Sequence, residues 1–85
     1  EVSVSGRVLT AEGRGLLNAV VTLTDSQGVT RRAYTGRTGA YRFDDVESGR
    51  IYIISVISRH YQLSPRVLSV NDDLADVDFV AGSGK

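Results

Sequence analysis

The stretch TGRTGAYRFDDVESGRIYIISV, residues 35–56, decides the fold because it places two strand patterns one after the other, with a glycine turn before each. In the first pattern, Tyr41 and Phe43 alternate onto one face. The second is an apolar run that continues to residue 58, and such a run predicts a central strand with both faces at least partly covered. Two successive strands without helical spacing indicate an all-β chain.

The glycines of this stretch suggest either a cradle for phosphate or the corners of a sheet. A G-x-x-G loop grips a nucleic-acid backbone when it joins two helices. Here the loop from Gly36 to Gly39 joins two strand patterns, so its glycines predict positive φ angles in a hairpin turn. Gly49 has the same expected role before the central strand.

The charge balance points away from nucleic acid and from anionic membranes. Ten basic and ten acidic residues give a net charge of zero, whereas binders of these partners normally carry a basic excess that neutralises phosphates. No apolar run approaches the roughly 18 residues of a membrane span. We therefore expect neither a nucleic-acid partner nor membrane insertion.

Five further strand patterns flank the central stretch, and short turn clusters separate them. They cover residues 2–9, 17–24, 29–35, 66–70 and 75–81. The segment 29–35 is polar, as an edge strand would be. The apolar face of 17–24 consists of Leu17, Ala19, Val21 and Leu23. Seven short strands predict a seven-stranded antiparallel β-sandwich of two small sheets.

A single domain accounts for the chain, since 85 residues leave no room for two cores. We place this domain at residues 1–81 and interpret the GSGK sequence at 82–85 as a linker or terminal tail. The predicted core consists of the inward-facing apolar residues Val4, Val8, Ala19, Val21, Leu23, Tyr41, Phe43, Tyr52, Ile54, Val56, Leu68, Val70, Val77 and Phe79.

Two motifs resemble the carboxypeptidase regulatory-like domains of bacteria. The first is VSGRVLTAEGRGLLNAVVTLTD at 4–25, with a glycine turn between two alternating strands. The second is a T-x-x-x-G-x-Y-x-F-x-x-V-x-x-G pattern formed by Thr35, Gly39, Tyr41, Phe43, Val46 and Gly49. The closing DVDF at 76–79 is also similar, so the resemblance covers residues 2–81.

The resemblance implies a transthyretin-like (prealbumin-like) β-sandwich of immunoglobulin-like architecture, related to starch-binding and collagen-adhesin B-type modules and so to a carbohydrate-binding-like fold. It further implies a non-catalytic accessory or spacer module in a larger secreted or cell-surface protein. The expected partners are neighbouring domains of the same polypeptide. The expected location is extracellular or at the cell surface.

One chemistry of the related adhesins is excluded by the residues. Modules that close an internal isopeptide bond need a buried lysine beside Asn or Asp, and the one lysine here is Lys85 in the tail. The mechanical strength of the domain therefore has to come from hydrogen bonds between strands.

Catalysis is not expected, because no nucleophile, base and orienting group are arranged together in the sequence. His60 is the one histidine, and no Ser-His-Asp spacing includes it. We expect it to be an exposed loop residue. With one histidine and no cysteine, an ordinary zinc site is also excluded, and we predict no cofactor.

Three carboxylates near the carboxyl end, Asp72, Asp73 and Asp76, are the calcium candidates. Calcium takes six to eight oxygen ligands, and acidic loops at the end of a sandwich can supply some of them. The competing interpretation is an Asx-type turn at Asp72 and Asp73, followed by a strand with Asp76 and Asp78 on its solvent face.

Two alternative functions remain open. Carbohydrate binding would use exposed aromatic side chains, and Tyr34 and Tyr61 are the ones expected at the surface. Docking of a protein strand would use an unpaired edge, for which residues 29–35 are the candidate.

Overall fold

The computed structural model describes residues 1–59, 61 and 63–81, and within them the regular elements are seven β-strands without a helix. The strands are β1 (Val2–Leu9), β2 (Val20–Thr24), β3 (Thr30–Tyr34), β4 (Ala40–Val46), β5 (Arg50–Ile57), β6 (Arg66–Val70) and β7 (Phe79–Val80). No helix among the described residues is long and apolar enough to cross a membrane.

The strands form two sheets, which confirms the predicted β-sandwich. One sheet has the order β4-β1-β7 and the other the order β3-β2-β5-β6. The prediction of a wholly antiparallel sandwich is wrong at one ladder, because β7 runs parallel to β1, with Val8 opposite Phe79 and Leu9 opposite Val80. Alternation along a strand reports its faces but not the direction of its neighbour.

The core lies between the two sheets and contains every residue predicted for it. Val46 and Ala81 are buried as well. The inward faces follow the period of two that the sequence shows, because successive side chains of a strand point to opposite faces.

Two predictions about burial are wrong. The outer face of β5 is open: Ile51, Ile53 and Ile57 are 59%, 50% and 61% exposed. Apolar β-branched residues suit a pleated strand whether or not the second face is covered. Leu17 is 57% exposed because β2 begins only at Val20, so the alternation does not extend back to it.

The turn interpretation is confirmed for Gly39 and Gly49, whose φ angles are 80° and 77°. It is wrong in two details: Gly36 does not have a positive φ angle, and the loop joins β3 to β4 in the other sheet instead of forming a hairpin. At Gly39 the Gly36 carbonyl accepts the turn hydrogen bond (3.0 Å), and a β-carbon would lie 2.2 Å from the Val8 carbonyl oxygen. Glycine is therefore required there by both conformation and space.

Candidate functional site

The first strand and the last segment of the described chain lie side by side. Residues 73–81, here called the terminal segment, run along β1 in the same direction. The amides of Leu74 and Val77 donate to the carbonyls of Ser3 (2.9 Å) and Ser5 (3.0 Å). At the far end, the amide of Ala81 donates to the carbonyl of Leu9 (2.7 Å). The terminal segment therefore bonds to β1 along most of the strand's length.

Two aspartate side chains complete this ladder where the segment offers no carbonyl. An Oδ1 atom of Asp73 accepts the amide of Ser3 at 2.8 Å, and that of Asp78 accepts the amide of Arg7 at 2.8 Å. Bonds of this kind are charge-assisted and stronger than neutral ones. Asp73 thus bonds to a residue 70 positions away rather than to a local turn. Asp78 lies just before β7, where its amide donates to the carbonyl of Asp76 (3.0 Å), so the strand predicted over 75–81 is formed only by Phe79–Val80.

A close approach at Gly6 allows the segment to reach β1. A β-carbon at Gly6 would lie 1.9 Å from the carbonyl oxygen of Val77, so a side chain there would displace the segment. The hydroxyl of Tyr41 donates to the same carbonyl from inside the core. Burial raises the pKa of the Tyr41 phenol, the charge of Asp78 raises it further, and Arg66 opposes them.

Two arginine side chains bridge the two sheets, one at each open side of the sandwich. Arg31 of β3 donates to the carbonyl of Asp44 in the other sheet (2.7 Å), and its guanidinium lies over the ring of Phe43, 5.6 Å from the centroid. On the opposite side, Arg66 of β6 donates to the carbonyl of Asp78 (2.9 Å) and lies 5.4 Å from the centroid of the Phe79 ring. Each arginine joins one sheet to the other.

The calcium candidates do not converge. Among the described residues, no group of three or more His, Asp or Glu side chains is arranged to hold a metal. Asp73 is engaged by the backbone of Ser3, while Asp72 and Asp76 are exposed. Calcium binding by this segment stays a prediction from sequence.

The two candidate tyrosines line different grooves. Tyr34 is 66% exposed and lines a shallow groove of about 650 Å³ that reaches Arg42 and Asp76. Tyr61 is half-buried and lines a second groove of about 580 Å³ beside Ile57. Their role in carbohydrate binding stays a prediction.

The strand β3 lies at the edge of its sheet, as its polar sequence predicts. Across the hairpin of β2 and β3, the amide of Asp25 donates to the Val29 carbonyl (3.0 Å), and the amide of Thr35 donates to the Ala19 carbonyl (3.0 Å). Because antiparallel bonding alternates, these bonds direct the even-numbered backbone groups of β3 away from β2. The even-numbered groups are those of Thr30, Arg32 and Tyr34.

The remaining candidates of the sequence analysis, His60 and Lys85, lie outside the described residues. Sequence reasoning also missed residues that the structure makes important: the bonding roles of Asp73 and Asp78, and the cross-sheet roles of Arg31 and Arg66. Their residue types carry no local signal for these roles, because each partner lies at least twelve positions away.

The family model for the carboxypeptidase regulatory-like domain matches residues 3–81. The chain belongs to this family. The match starts within β1 and ends just after β7, so it spans the whole sandwich of the domain. No curated protein matches the domain.

A solved structure supports the fold. The domain is similar to part of "The Bacillus anthracis TIE protein", with a TM-score of 0.74 and 17% sequence identity over 94% of this chain. The matched part is 16% of that chain. At this level of identity the likeness concerns the fold alone, and the domain corresponds to a small fraction of that longer protein.

Proposed function

We propose that the domain is a non-catalytic spacer, which separates or presents neighbouring domains of a larger secreted or cell-surface bacterial protein. The parallel pairing of β1 with β7 carries this proposal. Because the two terminal strands run in one direction, the chain enters beside Asp73 and leaves beside Leu9, at opposite ends of β1. A module threaded in this way keeps its neighbours apart.

The dimensions agree with such a role. The eight residues of β1 span roughly 26 Å at about 3.3 Å per residue, and the longest extent of the domain is 35 Å. Membership of a family of non-catalytic β-sandwich modules further supports the proposal.

Distance measurement between two spin labels tests the spacing. The chain has no cysteine, so labels on Glu1→Cys and Val80→Cys attach only at these two positions. We expect one narrow distance distribution centred near roughly 25–35 Å, because a strand extends about 3.3 Å per residue. A broad distribution, or a centre well below this range, would contradict a rigid spacer.

A binding role is tested on the same domain by ¹H–¹⁵N NMR titration with calcium and with polysaccharide fragments. A spacer gives no saturable shifts. Saturable shifts around Tyr34 on addition of polysaccharide fragments, if they disappear in Tyr34→Ala, would contradict the spacer proposal and indicate carbohydrate binding. Saturable shifts at Asp72 and Asp76 on addition of calcium would indicate a calcium site instead.

A second candidate function is docking of an extended protein strand onto β3, because the outward backbone groups of that strand lie at the sheet edge. An added strand would pair with the amides and carbonyls of Thr30, Arg32 and Tyr34. Side chains of the added strand that lie on the outer face would contact the guanidinium of Arg32 and the phenol of Tyr34. The expected ligand is therefore an extended peptide with an acidic and an apolar residue two positions apart, so that both lie on that face.

Proline substitution discriminates this candidate. Arg32→Pro removes an outward amide, and proline is tolerated at a sheet edge. We expect Arg32→Pro to abolish binding of such a peptide, measured by NMR shifts of the β3 amides. Arg32→Ala is the control, because it keeps the amide and removes only the charge. Equal loss in both variants would assign the binding to the side chain rather than to strand addition and would contradict this candidate.

A further inference from the structure

We propose that β1 and the terminal segment form a tension-bearing clamp, which is loaded in shear when the domain is pulled by its two ends. The proposal rests on the proposed spacer function, since a spacer between domains transmits any force applied to them. In this proposal, the hydrogen bonds between β1 and the terminal segment bear the force, and the bonds of Asp73 and Asp78 are among them.

The directions of β1 and the terminal segment determine how force passes through the domain. The chain enters at the Ser3 end of β1, where Asp73 and Leu74 bond to it, and leaves at the Leu9 end, where Ala81 bonds to it. Tension therefore pulls β1 and the terminal segment in opposite directions along their common axis. All the bonds between them carry the load together, whereas an antiparallel pair pulled from one end opens one bond at a time.

The two aspartates increase the number of bonds that share the load. Backbone bonds join the segment to Ser3, Ser5 and Leu9, and β7 itself adds two paired residues. The carboxylate of Asp73 adds a bond to the amide of Ser3 at one end of the ladder, and that of Asp78 adds a bond to the amide of Arg7, between the bonds at Ser5 and Leu9. Without Asp78, an unbonded Arg7 amide would separate the bonds at Ser5 from those at Leu9.

Contacts from two other elements, β4 and β6, and a close approach to β1 hold the segment in register. The hydroxyl of Tyr41 binds the carbonyl of Val77, and Arg66 binds the carbonyl of Asp78. The Val77 carbonyl also lies directly against Gly6. Sliding of the segment along β1 would break these contacts at the same time as the ladder, so they raise the resistance to shear.

Single-molecule pulling in two geometries tests the clamp. In the first, the handles are attached to the chain ends. In the second, they are attached to Ser48→Cys and Asn71→Cys, which lie beside the paired residues Arg50 and Val70 at one end of β5 and β6. This second path opens β5 from β6 like a zipper and leaves β1 unloaded. We expect unfolding at least about tenfold slower at equal force in the first geometry, because several bonds must break together.

Matched variants isolate the aspartates. Asp73→Ala/Asp78→Ala removes both side-chain bonds, and we expect it to speed unfolding under end-to-end load by about tenfold or more. Asp72→Ala/Asp76→Ala removes the same charge from within or directly beside the terminal segment, and among the described residues no hydrogen bond joins either side chain to β1. We expect this control to change the rate by less than about twofold. Asp73→Asn/Asp78→Asn keeps an acceptor oxygen at each position and should retain part of the resistance that the alanine pair loses.

The same variants pulled through positions 48 and 71 show whether an effect belongs to the clamp or to general stability. A clamp predicts acceleration in the end-to-end geometry alone. Equal acceleration in both geometries, equal rates for the two alanine pairs, or equal wild-type rates in both geometries would each overturn it.

The experiments can overturn the clamp proposal and the spacer proposal independently of each other. Equal pulling rates together with the expected label distance would overturn the clamp and leave the spacer supported. Saturable ligand binding at Tyr34 with the rate difference intact would support the clamp and overturn the proposed function.

Discussion

At the residue scale, Tyr41 links the core to the terminal segment and makes stability depend on pH. Its ring is buried, its hydroxyl donates to the Val77 carbonyl, and burial raises the pKa of the phenol above its usual value near 10. The folded state therefore favours the neutral phenol. This contribution is fully present below about pH 10, where the unfolded phenol is also neutral, and is lost as the pH rises above that value.

The prediction for Tyr41 is a fall in the free energy of unfolding above about pH 10 that is smaller in Tyr41→Phe. At neutral pH, Tyr41→Phe should cost about 1–3 kcal/mol, because the buried Val77 carbonyl loses its donor. Urea unfolding followed between pH 7 and 12 measures both effects. Tyr34→Phe is the control, since Tyr34 is exposed and should keep the wild-type slope. The same slope in Tyr41→Phe would show that another group controls the alkaline transition.

At the scale of elements, β5 shows what local pattern can and cannot predict. Its inward face, with Tyr52, Ile54 and Val56, follows directly from alternation. The isoleucines on the other face suggest a second covered side, yet that side is the outer surface of the four-stranded sheet. Strand-forming and core-forming residues are the same types, so composition alone does not distinguish a half-buried central strand from a fully buried one.

At the scale of the whole molecule, Arg31 and Arg66 join the two sheets on opposite sides of the sandwich. Arg31 donates to a carbonyl of β4 and Arg66 to the Asp78 carbonyl just before β7, and each guanidinium lies over a buried phenylalanine ring. We expect Arg31→Ala and Arg66→Ala each to lower the free energy of unfolding by about 1–2 kcal/mol, because a charged hydrogen bond and a cation–π contact are lost.

Thermal and urea unfolding of the two single variants and the double variant measure this contribution. The losses should add, since the two sites share no partner. Arg32→Ala is the matched control on β3, because its side chain lies on the outer face, and it should change stability by less than about 0.5 kcal/mol. A loss in Arg32→Ala as large as in Arg31→Ala would assign the effect to charge rather than to the contacts between sheets.

The sequence by itself determined the seven strands, the residues of the core and the positions of the glycine turns. These features depend on local alternation and on backbone conformation, which a short window of residues already contains. The tertiary structure alone decided the parallel pairing of β1 with β7 and the bonds from Asp73 and Asp78 to amides about 70 residues away. Such pairings depend on how the chain crosses between sheets, and an acidic residue in a loop pattern looks the same whether it faces water or completes a distant ladder.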